Sequence, residues 1–421
     1  MMGTKVRVLI LLVCIFSAVL IPSEIQSKTI QEATVVSSTV RTERFPLRIY
    51  SNEELLEQAV ENGWQGSGTQ EDPIIIENYI IRNVSHAALI TDTDLHFVFR
   101  NNIIEGIGKQ WCAVVTSRVR NAVITNNTIR YGAVGVHAIN TNDSVFSDNV
   151  MYENLWDGIY MELSSSNNII SGNTFHHNPE AGIYIWKDCQ NNIITENEMH
   201  HSSYGVIVKL ESTHNTIEEN DFYNCYEAGI GLSSGYNLVR NNSICRVGGH
   251  GVLVNSEFNR IEENLIFNNT ECGLELSYGS AHTTVRNNVF INNSEYGIFL
   301  RYTTNNTIEY NDFYDNGETH QVCDNGTDTS FHRNYWHQWI GQDIDLDGYI
   351  DTPLDIFGNS TCVDAEPMVA PCNPIPDWYT FIPITEPAVQ QTLMVDWGVA
   401  TTVAVAGTTV IVVLVVILKR R

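Results

Sequence analysis

Five residues late in the chain offer the most specific chemistry: Asp343, Asp345, Asp347, Gly348 and Asp351. Carboxylates at loop positions 1, 3, 5 and 9 with glycine at 6 match the front of a calcium-binding loop. The twelfth position is Leu354, where an EF-hand places a bidentate glutamate, and Asp355 follows one residue later. No helix is expected before the loop, so it reads as EF-like rather than as an EF-hand. Calcium is the expected ion; the alternative is an acidic turn that seals the end of the fold.

Two further sets carry possible chemistry. Tyr160, Glu162, Tyr184, Trp186 and Lys209, with His137, Ile139 and Ile207, occupy recurring positions two and four residues after a repeated glycine, and Asp188 lies just beyond Trp186. On a strand these positions share one outward face. Aromatic planes beside carboxylates suit sugar rings, so the set is expected to bind glycan. Ordinary cross-strand stacking is the competing explanation. Glu162 and Asp188 are the weak candidates for a catalytic pair, since a glycosidase needs two acids at a set separation. The other set is His176, His177, His200 and His201, two pairs 24 residues apart. His176 beside His200 is a weak candidate for a shared transition metal.

These sets depend on the repeat that positions them. An Asn, a variable residue and a large apolar residue recur from Asn127 through Asn149, Asn173, Asn197, Asn220, Asn242, Asn264 and Asn288 to Asn311, at steps of 22 to 24 residues. Asn78 and Asn102 are weaker early copies. Gly135, Gly158, Gly182, Gly205, Gly229, Gly251, Gly273 and Gly297 interleave with the series. Such a period means a solenoid. Within one unit, Ile183 and Ile185 alternate with Tyr184 and Trp186, and Ile193 begins a second alternating run. Units this short, rich in Val, Ile, Tyr and Phe and poor in Leu, predict short strands. The fold class is therefore all-β, a parallel β-helix of about 11 coils. Stacked Asn amides would satisfy the turns. The glycines would permit a special backbone conformation or a close approach.

The ends predict a location. Lys5 and Arg7 precede the apolar run Val8 to Ile21, a signal-peptide pattern placed at residues 1–27. Residues 28–72 form a polar lead and a capping helix, in which Ser51 and Glu54 make a capping box ahead of Leu55, Leu56, Ala59 and Val60. Coils fill 73–335, a cap with the Asp-rich loop 336–365, and a Pro-rich stalk 366–392. The last segment, 393–421, holds the uncharged run Trp397 to Leu418, read as a single transmembrane helix, before Lys419, Arg420 and Arg421. The β-helix is thus expected outside the cell and the C-terminus in the cytoplasm. A net charge of −26 excludes a nucleic-acid partner, which needs a basic face. Nine Asn-x-Ser/Thr sequons suit an exported glycoprotein. With Cys14 removed eight cysteines remain, and Cys362 and Cys372 are close enough in sequence to pair. No bridge is assigned to Cys225, Cys245 or Cys272.

The segment Gly66 to Asn78, the repeated Asn-x-Ile phrases and the closing segment Asn334 to Asn359 resemble the NosD-like family. The resemblance implies a right-handed parallel β-helix, grouped with carbohydrate-binding and sugar-hydrolase helices. The signal, stalk and anchor resemble archaeal surface members. It also implies copper handling, although no copper-site residue carries over individually. The expected function is a membrane-anchored extracellular protein that binds glycan or adheres. The alternatives are a polysaccharide hydrolase or lyase and copper handling.

Overall fold

The computed structural model describes residues 41–44, 46–106, 108, 110–373, 391–395, 399–406 and 409–415. The expected signal peptide and most of the stalk lie outside them. Each coil contributes three short strands, such as Thr174–His176, Ala181–Trp186 and Ile193–Thr195. Stacking puts equivalent strands into three parallel sheets of 13, 13 and 14 strands, here sheets A, B and C in that order; the last pair in sheet C is antiparallel. The whole is an all-β, right-handed parallel β-helix of about 11 turns.

Alternation decides what fills the centre. Phe175, Met199 and Phe222 stack from sheet A. Ile159, Ile183 and Val206 stack from sheet B, and Ile170, Ile194 and Ile217 from sheet C. All are buried in one continuous core. Similar apolar types one above another fill the bore, and this burial is the main force holding the coils.

Corners between sheets are tight. Each uses a residue in the left-handed region, and the positions recur: Asn126, Asp148, Glu196 and Glu219 at one corner, Tyr131, Glu153, His177 and His201 at the next. Asn and Asp tolerate that region better than most side chains. The residue after the first corner is the ladder Asn. Asn197 shows the pattern: its amide donates to Asn220 Oδ1 (3.0 Å) and to the Ile170 and Thr195 carbonyls (both 2.8 Å). Its own Oδ1 accepts from the backbone and amide of Asn173 (both 2.9 Å). The ladder runs from Asn102 through Asn334 and ends on the Asp364 carboxylate. Asn78 does not belong to it. Tyr79 holds the ladder position, its N–H donating to Asn102 Oδ1 (2.9 Å), while Asn78 is the left-handed corner residue before it.

The recurring glycines answer to close approach. None of the eight has a positive φ. A Cβ on Gly158 would lie 2.6 Å from the Gly182 carbonyl oxygen, and one on Gly205 would lie 2.6 Å from that of Gly229. Backbone pairing in sheet B skips these glycines, passing from Val134↔Asp157 to Val136↔Ile159.

The single described α-helix, α1 (Asn52–Asn62), has Ser51 as its N-cap. Ser51 Oγ accepts from the Glu54 N–H, and the Glu54 carboxylate accepts from Tyr50 N–H at 2.8 Å. Leu55 and Ala59 enter the core, whereas Leu56 and Val60 stay exposed.

Two expectations need correction. The segment read as a membrane helix contains strands Val399–Ala406 and Thr409–Val415, antiparallel to each other. Its Val, Ile and Thr residues are β-branched and favour strands. No helix among the described residues is long and apolar enough to cross a membrane. The eight described cysteines are free thiols. Cys362 donates to the Thr329 carbonyl and Cys372 contacts Met368 Sδ, so the two do not pair.

Candidate functional site

Sheet B carries the chemistry. The glycine interrupts its period-two alternation, so the residue before each glycine faces outward together with those two and four after it. Ala181, Tyr184 and Ile207, with Tyr160, Trp186 and Tyr204, form an apolar cluster separate from the core. Reading only the second and fourth positions missed Asp157 and Tyr204. No sequence signal marks them, because the shift comes from the skipped pairing at each glycine.

Around this cluster the polar groups converge. His137 Nε2 meets Glu162 Oε1 at 2.9 Å across one coil step, and Tyr160 donates to Glu162 Oε2 at 3.3 Å. Cys112 Sγ lies 3.7 Å from His137 Nδ1. Burial lowers the His137 pKa, opposed by Glu162. Burial pushes the Cys112 thiol up to about 11. Asp157 is buried with Oδ1 unpartnered. Its pKa is pushed up to about 8 by burial and then by the charge of Glu180, so it is largely neutral at pH 7. The face therefore offers a neutral acid, a second carboxyl group, an imidazole and phenols within three neighbouring coils.

The expected binding residues separate here. Tyr160 and Trp186 are half-buried rims. Tyr184 is 8% exposed, lying under Trp186 (rings 5.6 Å apart, perpendicular) and beside Tyr160 (5.4 Å). Lys209 Nζ sits 5.5 Å from the Tyr184 ring centroid, a cation–π contact. Tyr184 supports the platform more than it forms it. Ile139 and Ile207 complete the face, Ile207 being buried. Glu162 spends its oxygens on His137 and Tyr160, while Asp188 lies in the left-handed turn beyond Trp186. The two acids expected as a pair are thus placed on different elements.

The histidines lie on sheet A and its corner. His176 and His200 stack at 5.2 Å with planes 7° apart, flanked by Tyr152 and Tyr223. His177 and His201 stack at 4.8 Å. An imidazole holds a metal in its ring plane, and parallel planes 5.2 Å apart share no such point. His176 and His200 as placed do not fit a shared copper ion. The ring faces are used on each other, and burial lowers the His176 and His200 pKa values, His200 to about 4.

The Asp-rich loop is folded around its own carboxylates. Asp343 accepts from the Asp347 and Gly348 N–H groups (3.2 and 3.0 Å), and Asp351 accepts from Ile344 N–H (2.6 Å). Carboxylate oxygens of Asp343, Asp345 and Asp351 lie within 4.8 Å of one another. Asp347 turns its Oδ1 to Tyr349 N–H (2.9 Å). Leu354 and Asp355 form a strand against Val363–Asp364, so no twelfth-position ligand closes the loop.

Three parallel sheets closed around a single core, one strand from each per coil, define a parallel β-helix repeat protein. Residues 186–336 match the family described as "Right handed beta helix region", and residues 47–247 match "Periplasmic copper-binding protein (NosD)". Together with the parallel β-helix, these two overlapping matches support a NosD-like right-handed β-helix protein. A search of the curated proteins finds no match. Among solved structures it is similar to the Azotobacter vinelandii mannuronan C-5 epimerase AlgE6 A-module, at 19% identity and a TM-score of 0.50, over 61% of this chain and 81% of that one. It is also similar to a variant of the periplasmic alginate epimerase AlgG, at 13% identity and a TM-score of 0.47, over 75% of this chain and 83% of that one. A GH87 alpha-1,3-glucanase catalytic domain matches at 13% identity and a TM-score of 0.46, over 68% of this chain and 65% of that one. At these identities the likeness is one of fold.

Proposed function

We propose that the chain is a surface-displayed β-helix that binds polysaccharide on the outer face of sheet B. The observation that carries this reading is the convergence of His137, Tyr160 and Glu162 with Asp157 beside the Trp186 and Tyr204 rims. Sugar hydroxyls require fixed donors and acceptors, and sugar C–H faces require an aromatic rim; this face supplies both. The structural neighbours named for polysaccharide chemistry agree with the reading but do not carry it.

A second aromatic strip runs along another corner, where His214, Tyr236, Phe258 and His282 stack at 4.8 to 5.6 Å. Its inner ring faces are taken up by stacking, so it is the poorer sugar platform. Retention of the protein on a panel of immobilised acidic and neutral polysaccharides tests the proposal. Trp186→Ala is expected to weaken retention on the preferred glycan about tenfold, a loss of ~1.4 kcal/mol. Equal retention of both proteins on every glycan would remove the reading. New reducing or unsaturated ends that vanish in Glu162→Gln would place the chain with the processing enzymes instead.

A further inference from the structure

Sheet B carries a second polar cluster, beyond the aromatic face and assigned to no role above. His250 precedes Gly251 and Cys272 precedes Gly273, one coil apart, and Glu275 lies two residues after Gly273. The interruption at each glycine turns His250 and Cys272 outward, and Glu275 shares that face by ordinary alternation. His250 Nε2 meets Glu271 Oε2 at 2.9 Å and Glu275 Oε2 at 3.1 Å. Cys272 Sγ donates to Glu295 Oε2 at 3.7 Å, and Arg301 binds Glu275 at 3.0 Å. One donor atom from each of His250, Cys272 and Glu275 lies within 4.8 Å of the others.

We propose that His250, Cys272 and Glu275 bind a zinc-class divalent cation, with Glu271 at the solvent-facing mouth. One imidazole, one thiolate and a carboxylate are a borderline-soft donor set, which suits zinc and argues against calcium or magnesium. A tetrahedral ion with bonds of about 2.0 to 2.3 Å holds its ligands about 3.3 to 3.8 Å apart, so the set closes by small side-chain rotations. Charge points the same way. Glu275 is almost fully buried with the Arg301 guanidinium beside it, while Glu271 and Glu295 reach the same cluster through His250 and Cys272. A cation there would offset the carboxylates that Arg301 does not pair.

Without an ion, burial and the neighbouring glutamates hold the Cys272 thiol protonated. Loading releases the thiol proton to solvent. Binding through Nε2 leaves the ring proton on Nδ1, which gives up a long 3.4 Å contact from the Cys272 N–H. The ion would then staple two successive coils.

Cobalt(II) titration of the metal-stripped full chain tests the site, because a cysteine ligand produces a near-ultraviolet thiolate-to-cobalt charge-transfer band. The imidazole ladder and the Asp-rich loop have no thiol and cannot produce it. We expect one saturable band, bleached by zinc, absent in Cys272→Ser, and at least tenfold weaker in binding in Glu275→Gln. A chain that shows no band, or a Cys272→Ser variant that keeps it, overturns the proposal. If Cys272→Ser fails to give a cooperative melt, His250→Ala takes its place, and unchanged cobalt affinity in that variant overturns it equally.

Discussion

Asp157 is a side chain whose position works against stability. It is buried, one oxygen lacks a partner, and its pKa is raised from 3.8 to about 8. The sign follows from proton binding. Between those values the folded chain holds a proton that the unfolded chain has lost, so stability falls as pH rises from about 4 to 8. A residue placed this way costs the fold on the order of a few kcal/mol at pH 8. Asp157→Asn removes the titration. Its melting temperature is expected to exceed that of the unsubstituted chain at pH 8, and the difference should shrink toward pH 4. A pH-independent difference in scanning calorimetry would show that Asp157 does not titrate in this window. Retention of such a costly group on the same face as Tyr160 is the residue-level reason to regard this face as functional.

At the level of elements, the Asn ladder and the corners set the coil, and the closing loop ends it. Each ladder bond contributes about 1 kcal/mol net, but an open buried partner costs about 1 to 3 kcal/mol. An interruption is therefore felt in the coils on both sides. The closing loop is a separate element with its own test. We propose that Asp343, Asp345 and Asp351 bind calcium, with Asp347 near; Gly348, at φ +95°, permits the sharp turn between them. With Leu354 committed to a strand, the affinity should be weak, about 10⁻⁴ to 10⁻³ M, as in extracellular modules. Calorimetric titration should give a saturable signal and a raised melting temperature, both lost in Asp345→Ala. No heat and no shift at millimolar calcium would leave the loop as an acidic turn.

At the scale of the whole molecule, each coil touches only its neighbours, so the two ends must be closed. Helix α1 buries Leu55 and Ala59 against the first coils. At the far end Asp364 terminates the ladder, and the Asp312 carboxylate accepts from the Cys372 and Asn373 N–H groups (2.8 and 2.6 Å). Beyond lies the apolar run to Leu418, and we propose that this strand-forming segment, rather than a single helix, holds the protein at a membrane with the β-helix outside. The full chain should sediment with membranes and be released by detergent, whereas a chain ending at residue 396 should not sediment. Equal solubility of both would refute the anchor.

The repeat was legible from sequence alone because a β-helix stacks like on like. Any residue type needed at one corner is needed again 22 to 24 residues later, so Asn127 to Asn311 and Gly135 to Gly297 spelled out the coil. The EF-like spacing from Asp343 to Asp351 was legible for the same kind of reason, since its geometry is local. What the sequence could not declare depends on contacts between coils. The skipped pairing at each glycine turned Asp157, Tyr204, His250 and Cys272 outward against simple alternation. Parallel stacking turned His176 and His200 into a ring ladder instead of a chelate. Neighbours buried Tyr184 and drew Glu162 to His137. Periodicity reports which side chains share a phase. Only packing decides which of them touch, which are covered and which are left to meet a ligand.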